Sequence, residues 1–468
     1  MSTEVKAHQE LTLRLLKHVA AVANAPLSGS DTEALRRLFL DNFIVSLWGS
    51  TRPAAKELAG WARRYSGSGT APVLGAPWTV DASIAALIHG TAAHCYELDD
   101  THDVTASHPG SVIIPAALAV GAALGSSQAD LFRAVAAGYE AMALVGMAAG
   151  GMETVHRGFH PTPVFGSFGG ATACLALQAY RNGEAVSVEL LADAWGHALS
   201  QACGSMQFSV EPSGGEVKRL HAGLGARNGV LAAEFARLPA VSAPFHSVDG
   251  AYGVATMFGG PLQDAIPETD LQIHTISLKP YSCCRLFHST IDALAEITGN
   301  FQTPADQIDE ILISGPRLIA DQHMTPAKST MTAQYSCPFI VGATLAYGPT
   351  RYDAYGEDYL DDPAILGLAR KVRFEVSDEL ERKYYPRQFA TGASVRTLDG
   401  NVREAVVIDS FGTARKPMSL GQIIAKGDGL ASFDGFPTGT ALADVIWDMS
   451  SGARELATAL VGPNGDSA

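Results

Sequence analysis

The sequence predicts a mainly α fold, in which a large all-helical domain is combined with a smaller α+β lid domain. Between residue 8 and about residue 240, apolar residues recur at helical spacing in one Ala- and Gly-rich stretch after another. Near residue 271 the pattern changes to short alternating stretches mixed with helices, which is typical of an α+β unit. The length of 468 residues also exceeds the roughly 250–300 residues at which a single hydrophobic core stops growing. We therefore expect two domains.

The helical domain is predicted from a cap and from apolar periodicity. Ser30 and Glu33 form a capping-box pattern, and the apolar run that follows them ends at Gly49. Because the later stretches are apolar nearly all round, they predict buried helices that pack closely against each other. Further helices are predicted at about 80–95, 112–124, 127–149, 164–181, 187–203 and 222–238.

The lid domain is predicted from alternating and helical patterns that follow one another. Asp399-Gly400 lies between two alternating stretches, which predicts a β-hairpin. Strands are predicted at 271–281, 308–315 and 371–378, and helices at 285–298 and 331–348. We expect the helical domain over residues 1–270, the lid domain over 271–410 and a C-terminal segment, 411–468, that returns to the helical domain.

The composition excludes several classes of partner. The chain has 33 Lys and Arg against 48 Asp and Glu, a formal net charge of −15. Nucleic acid and anionic membrane surfaces require clustered positive charge, so we expect neither as a partner. The polar N-terminus and the lack of an apolar stretch of about 18 residues predict a soluble cytoplasmic protein. Six scattered cysteines without a C-x-x-C predict free thiols rather than disulfides or a zinc ribbon.

The densest group of ionisable residues lies in residues 89–111, at the end of a predicted helix and in the loop after it. Catalytic groups are common in loops that a rigid scaffold presents. A solvated acidic loop would explain any one of these residues, but their density favours an active site. The group comprises His89, His94, Glu97, Asp99, Asp100, His102, Asp103 and His108.

Two later segments add an acid–base candidate and cations. His160 precedes Pro161 and the start of a predicted helix, where amide groups favour an anionic ligand. Lys218 and Arg219 supply local positive charge in an acidic protein, and Lys218 is interpreted as a carboxylate-binding cation. A surface lysine is the alternative.

A third segment lies at a predicted strand-to-helix junction of the lid domain. Such a junction can project a cation into a cleft between domains, which makes Lys279 and His288 candidates. A cysteine nucleophile is conceivable at Cys283 or Cys284, but buried, inert thiols are the preferred interpretation.

A metal site is an alternative to acid–base chemistry on protein side chains. His156 and His160 could chelate an ion if they lay on one helix, but Gly158 and Pro161 favour a loop. The chain has no H-E-x-x-H, so we expect no bound metal. The ligands considered for a metal-dependent hydrolase are His94, His102, His108 and Asp100.

In their order along the chain, these segments resemble the MmgE/PrpD family, which includes 2-methylcitrate dehydratase, cis-aconitate decarboxylase and iminodisuccinate epimerase. The resemblance implies a helical domain built from both ends of the chain, an α+β lid, a homodimer and a cofactor-independent active site between the domains. The matching strings are HGTAAHCYELDDTH followed by HPGS, GFHPTPVFG, VKRLHAGLGARNG, and LKPYSCC with His288 and Asp292 behind it.

The resemblance also implies site residues. The decarboxylases resemble DFDDT where this chain has ELDDT, and HPPS where it has HPTP, so decarboxylation is the less favoured reaction. The catalytic candidates that it implies are His108, His160, Asp100, Lys218 and Lys279, and it implies Thr101 and Tyr335 as substrate-binding candidates. Arg219 and His288 complete the substrate-binding candidates because of the segments in which they lie.

The predicted function is that of a lyase acting on a small di- or tricarboxylate, with a 2-methylcitrate dehydratase-like hydro-lyase placed first. Dehydration needs a base, an acid and cations that stabilise an enolate-like carboxylate, and the candidate histidines and lysines supply them. We expect His108 and His160 to transfer protons, in either order, with Asp100 orienting an imidazole or accepting a hydroxyl proton. A cis-aconitate-type decarboxylase, a dicarboxylate epimerase, a metal-dependent hydrolase and a non-catalytic binding protein are the alternatives.

Overall fold

The computed structural model describes residues 10–211, 214–264, 266, 270–321, 326–434 and 436–460. Its helices are α1 Leu11–Asn24, α2 Gly29–Ser50, α3 Pro53–Tyr65, α4 Ala82–Ala93, α5 Gly110–Leu124, α6 Gln128–Ala148, α7 Glu153–His156, α8 Pro161–Arg181, α9 Val188–Gln201, α10 Val217–Phe235, α11 Val254–Phe258, α12 His288–Thr298, α13 Arg317–Asp321, α14 Thr330–Tyr335, α15 Cys337–Tyr347, α16 Pro363–Ala369, α17 Asp378–Tyr384, α18 Leu420–Asp434, α19 Gly439–Trp447 and α20 Ala453–Ala459. Its strands are β1 Ala71–Val73, β2 Ala76–Val80, β3 Ile308–Gly315, β4 Val372–Val376, β5 Thr391–Thr397 and β6 Val402–Val407.

Helix α8 lies at the centre of the helical domain, with α5, α6, α9 and α10 packed against it. Every residue of α8 from Pro161 to Ala179 is buried, as expected for a helix that is apolar nearly all round. Helix α6 is long and apolar enough to cross a membrane, but 89% of its most apolar window is buried inside the protein. The predicted set of closely packed central helices is therefore confirmed.

Two glycines of α10 determine how closely this helix approaches its neighbours. A Cβ atom at Gly223 would lie 2.3 Å from the carbonyl oxygen of Leu87 on α4. A Cβ atom at Gly229 would lie 2.7 Å from the backbone of Gly170 on α8. Neither position can hold a side chain unless α10 moves. The glycines of this segment thus serve helix packing, and they fix the helix that carries Lys218.

The lid domain is built on a four-stranded sheet in the order β4-β3-β5-β6. Strands β3 and β4 are parallel, whereas β3 with β5 and β5 with β6 are antiparallel. The hairpin predicted at Asp399-Gly400 is confirmed, and Gly400 has the positive φ of 86° that such a turn requires. Helix α12 packs on β5 and β6. The predicted mainly α fold with a smaller α+β domain is confirmed.

The described residues form two separate hydrophobic cores, and the chain changes from one to the other close to residue 280. Ile276 and Leu278 pack in the helical core, whereas Tyr281 packs in the lid core. The chain returns to the helical core after the sheet, where Ile423 and Leu442 are buried. Lys279 therefore lies where the chain passes between the two domains.

Four local predictions were wrong. Residues 271–281 do not form a strand, because Gln272–Thr275 is a 3₁₀ helix packed on the helical core, leaving only a bridge at Ser277. The capping box of α2 is formed by Ser28 and Asp31 rather than by Ser30 and Glu33.

The other two errors concern element boundaries. The part predicted as all-helical contains the hairpin of β1 and β2. The helix predicted at 331–348 is divided at Ser336, whose hydroxyl accepts from the Phe339 amide and caps α15.

Candidate active site

The candidate residues converge on the segment between α4 and α5, residues 94–109. Glu97 in this segment has a left-handed backbone, with φ 55°, which few residues other than glycine adopt without support from their surroundings. Thr101 and Ser277 exchange two backbone hydrogen bonds of 2.8 Å. The segment is thereby fixed to the part of the chain that leads into the lid domain.

Glu97 is the centre of a buried charge cluster. Its Oε1 accepts from Lys218 and, at 2.8 Å, from Arg219, and its Oε2 accepts from Lys279 at 3.0 Å. Burial alone would raise the pKa of Glu97, but Lys218, Lys279 and Arg219 together hold it well below its ordinary value. One carboxylate therefore stabilises two cations of α10 and one cation at the entrance to the lid.

The two lysines differ in their electrostatic surroundings. Burial lowers the pKa of Lys218 in spite of the attraction to Glu97, and repulsion by Arg219 and Lys279 acts in the same direction as burial. The pKa of Lys279 is raised in spite of burial, because Lys279 faces both Glu97 and Asp99, whose Oδ1 lies 3.7 Å from its ammonium nitrogen. Lys279 is thus the more firmly protonated of the two.

Asp99 connects this cluster to the histidines. Its Oδ2 accepts from His94 Nδ1 at 2.6 Å and lies 3.5 Å from His108 Nδ1. His108 Nδ1 also donates to the main-chain carbonyl of Asp100 at 2.8 Å. A carbonyl can only accept, so Nδ1 carries the hydrogen and Nε2 keeps its lone pair. Within the described ranges, His108 Nε2 has no hydrogen-bond partner.

His160 lies at the N-cap of α8, with its ring centre 6.3 Å from that of His108. Its Nδ1 lies 3.0 Å from Nδ1 of His221 on α10, so one of these two rings donates to the other. Burial, followed by repulsion from Lys218, holds the pKa of His160 well below its ordinary value. Burial also holds the pKa of His108 well below its ordinary value, although the negative charge of Asp99 acts to raise it. Both imidazoles are therefore neutral at neutral pH in the free protein.

The two histidines line a cleft of about 610 Å³, part of which is open to solvent. Arg285 at its wall donates to Ser410 Oγ at 2.8 Å and pairs with Asp103 at 3.2 Å. The cleft has walls from both domains. They include Glu97, Thr101, His108, Met152 and His160 on one side, and Cys284, Arg285, Leu318, Tyr335 and Phe389 on the other.

The side chain of Asp100 neither contacts an imidazole nor lines the cleft. Its carboxylate points away from the cleft and accepts from the Gly110 amide at the start of α5 and from the Tyr139 hydroxyl, each at 2.8 Å. Burial raises the pKa of this carboxyl to about 7. Only the main-chain carbonyl of Asp100 contacts His108, so the side chain orients no imidazole. The neighbouring carboxylate of Asp99 is the one that bonds an imidazole, that of His94.

Four further residues predicted for the site also lie outside the cleft wall, namely Arg219, His288 and the fully buried Lys218 and Lys279 of the Glu97 cluster. Arg219 is fully buried, and beyond Glu97 its Nη2 donates to Gln334 Oε1 at 2.7 Å. His288 is fully buried in the lid core, against Tyr281, with Nε2 3.3 Å from the Cys283 carbonyl. Thr101 and Tyr335 do line the cleft, and the Lys218 ammonium lies 5.5 Å from the centre of the Tyr335 ring.

The ligand set considered for a metal hydrolase is not brought together. His102 turns away to bond Thr105 at 2.7 Å, and Asp100 is directed at α5. The structure instead groups His94, His108 and His160, which place one ring nitrogen each within 4.8 Å of the others. His156, the other predicted chelator, bonds Tyr385 and lies at the exposed surface.

Comparison with known protein families decides the classification. The model of the MmgE/PrpD N-terminal domain matches residues 14–264, and the model of the MmgE/PrpD C-terminal domain matches residues 281–437. The chain belongs to the MmgE/PrpD family. Residues 265–280 separate the two matched ranges, and the chain passes from one hydrophobic core to the other at the end of this interval.

Curated relatives align with this chain over most of its length. A cis-aconitate decarboxylase-like protein, oryM, of Aspergillus oryzae is 28% identical over 81% of this chain and 82% of its own length. The cis-aconitate decarboxylase of Aspergillus terreus is 24% identical over 81% of both chains. The mouse cis-aconitate decarboxylase is 23% identical over 82% of this chain and 79% of its own length. The protein is a lyase of the MmgE/PrpD type.

Sequence reasoning missed the centre of this MmgE/PrpD site. Glu97 and Asp99 were counted in the ionisable group but given no role, although Glu97 holds three cations and Asp99 holds His94. The available signal was composition: three basic residues predicted in one site of an acidic protein need buried carboxylates as partners. Gln334 was missed as well, and its side chain links Arg219 to the carbonyls of Tyr96 and Ser282.

Proposed function

We propose that the protein decarboxylates a small unsaturated tricarboxylate of the cis-aconitate class. The relatives described above are named as cis-aconitate decarboxylases or as like them, at 23–28% identity. They support the decarboxylase alternative over the 2-methylcitrate dehydratase that sequence reasoning placed first. The substitutions in ELDDT and HPTP, which disfavoured decarboxylation there, carry less weight than matches over four fifths of the chain.

The observation that carries the proposal is the pair His108 and His160 beside a buried cluster of cations. The two ring centres lie 6.3 Å apart in the same wall of the cleft, and in both rings Nδ1 is engaged while Nε2 has no partner among the described residues. A small substrate in the cleft can therefore reach two imidazole nitrogens that are free to exchange a proton.

Decarboxylation needs a proton but no hydroxyl leaving group. In cis-aconitate, one carboxylate sits on the methylene carbon next to the C=C bond. When its C–C bond breaks, CO₂ leaves and the electron pair spreads over three carbon atoms, stabilised by the remaining carboxylates. A proton from an imidazolium then closes the new C–H bond at the far carbon, and the product is an unsaturated dicarboxylate. We assign this proton to His108 or His160.

Charged and polar groups at the cleft surface support the binding of such a substrate. Behind them, Lys218, Arg219 and Lys279 pair with the buried carboxylates Glu97 and Asp99, and Arg219 also pairs with Glu216 at 3.4 Å. Arg285 and the Thr101 hydroxyl lie at the cleft surface, where they can bind a carboxylate directly. The negative charge of a bound tricarboxylate raises the proton affinity of the neighbouring imidazoles, which prepares the acid.

A parallel assay tests the proposal. Purified protein is incubated in heavy water separately with cis-aconitate, 2-methylcitrate and citrate while CO₂ release and alkene absorbance are followed together. We expect CO₂ from cis-aconitate alone. Alkene formation from 2-methylcitrate without CO₂ would instead establish the dehydratase, and deuterium exchange into recovered substrate without either product would establish an epimerase.

A further inference from the structure

We propose that His94, His108 and His160 form a binding site for one Zn²⁺ ion, and that this ion inhibits the enzyme by occupying its proton-transfer nitrogens. The three residues come from two places in the chain, the α4–α5 segment and the N-cap of α8. All three residues are buried, at 0%, 7% and 4% exposure. His108 and His160 line the cleft, whereas His94 does not.

The distances between the rings suit a single ion. One ring nitrogen of each histidine lies within 4.8 Å of those of the other two. A tetrahedral ion with Zn–N bonds of about 2.1 Å holds its ligand nitrogens roughly 3.4 Å apart. The rings therefore have to close by no more than about 1.4 Å for each pair of nitrogens. The cleft in front of the histidines leaves the fourth position to water or to a carboxylate.

The second nitrogen of each ring is already anchored. His94 Nδ1 donates to Asp99 at 2.6 Å, His108 Nδ1 donates to the Asp100 carbonyl at 2.8 Å, and His160 Nδ1 pairs with His221 at 3.0 Å. Zinc-binding histidines almost always engage their other nitrogen in this way, with a carboxylate, a carbonyl or a comparable partner. With Nδ1 engaged in all three rings, each Nε2 is left without a hydrogen-bond partner among the described residues.

An unsatisfied atom points to a ligand at this place. His94 Nε2 is fully buried and makes no hydrogen bond within the described part of the chain. Buried polar atoms are nearly always paired, and an unpaired one calls for a bound water or ion. A ligand that bridged His94 Nε2 to His108 and His160 would satisfy it.

The charges around the three histidines determine how strongly the site binds zinc, and the imidazole ligands determine which metal it prefers. Lys218 and Lys279 repel a dication, and Glu97 and Asp99 offset them. We therefore expect reversible zinc binding, weaker than in a dedicated structural site. Three neutral imidazoles prefer Zn²⁺ to Mg²⁺, which favours oxygen ligands. Inhibition rests on the proposed function, because it requires His108 and His160 to transfer protons, whereas binding does not.

The experiment measures binding without using activity. Chelator-treated protein is titrated with Zn²⁺ by calorimetry, and tetrahedral coordination is checked from the visible spectrum of the Co²⁺ form. We expect one ion per chain, at least about tenfold weaker binding in His94→Gln and in His160→Gln, and no binding of Mg²⁺. His246→Gln, which removes an exposed histidine, is the matched control and should bind like wild type.

Either of two results would overturn the proposal of a zinc site. One is the lack of saturable one-to-one zinc binding by the wild-type protein, and the other is unchanged affinity in both His94→Gln and His160→Gln. If His94→Gln does not fold, as judged by circular dichroism, His160→Gln decides alone. A catalytically inactive wild-type protein that still binds zinc as described would contradict the proposed function but not the metal site.

Discussion

The carboxylate of Glu97 accepts a 3.0 Å hydrogen bond from the ammonium group of Lys279, and through this contact the helical domain reaches the start of the lid. The pair is fully buried, so neither charge can be stabilised by water if its partner is removed. The contact therefore links the integrity of the cleft to the integrity of the fold.

Removing the Glu97 charge should destabilise the protein strongly. Glu97→Gln leaves Lys218, Arg219 and Lys279 buried around a neutral amide, and breaking a buried pair in this way costs about 3–5 kcal/mol. Urea unfolding followed by circular dichroism measures the change. Arg396→Met is the matched control, because its pair with Asp309 is exposed and should contribute at most about 1 kcal/mol. Equal stability of the two variants would contradict the buried cluster.

The two cleft histidines should be needed for activity but not for folding. We expect His108→Gln and His160→Gln each to lower kcat by about 10²–10⁴-fold, the usual contribution of a positioned acid or base. Steady-state kinetics on the accepted substrate measure the loss, and thermal unfolding checks the fold. His197→Gln, which changes a half-buried histidine that bonds the Val241 carbonyl and does not line the cleft, is the control. If kcat fell by less than tenfold in both His108→Gln and His160→Gln, the assignment of proton transfer to these rings would be wrong.

The pH dependence of kcat/KM should reflect a depressed histidine pKa. Burial holds the pKa of His108 and of His160 well below 6.5 in the free protein. The acid form that delivers the proton is therefore the minor form at neutral pH and becomes more populated as the pH falls. We expect kcat/KM to rise as the pH is lowered from about 8 toward 6. A profile that is flat or falls over this range would argue against an imidazolium as the proton donor.

Asp100 should act on stability in a pH-dependent way. Burial raises its folded-state pKa to about 7 from 3.8, so the folded state binds more protons than the unfolded state between these values. Asp100 therefore favours the unfolded state increasingly as the pH rises through this window, by up to about 4 kcal/mol above pH 7. Asp100→Asn removes this effect.

The free energy of unfolding has to be compared between the wild type and Asp100→Asn, because other groups also change stability with pH. Buried histidines such as His89 and His102, with pKa lowered to about 4, stabilise both proteins as the pH rises, which is the opposite of the Asp100 effect. The free energy of unfolding of the wild type minus that of Asp100→Asn should decrease from pH 5 to pH 8. A constant difference would show that the carboxyl is not perturbed.

The sequence was sufficient for the elements whose pattern is local. The central helices, the lid hairpin at Asp399-Gly400 and the family were all predicted correctly, and the structure places Thr101, His108, His160 and Tyr335 on one cleft. The homodimer and the cytoplasmic location stay predictions.

The direction of adjacent carboxylates could not be predicted. Asp99 and Asp100 are neighbours in a loop, and which of them faces the histidines depends on long-range contacts. Asp100 is turned away by bonds to Gly110 and Tyr139, and the left-handed backbone at Glu97 helps to direct the segment. No periodicity encodes such a turn. His288 was misplaced for a related reason, since whether a junction residue faces a cleft or a core depends on packing.

The central claim is that the cleft histidines return a proton to the carbon skeleton after CO₂ has left. It is tested most directly by incubating the protein with cis-aconitate in heavy water, with CO₂ quantified and the products examined by mass spectrometry. We predict one CO₂ per turnover, one deuterium on carbon in the unsaturated dicarboxylate product, and loss of both signals in His108→Gln or His160→Gln. Consumption of cis-aconitate to a six-carbon hydroxy acid, with no CO₂, would contradict the claim.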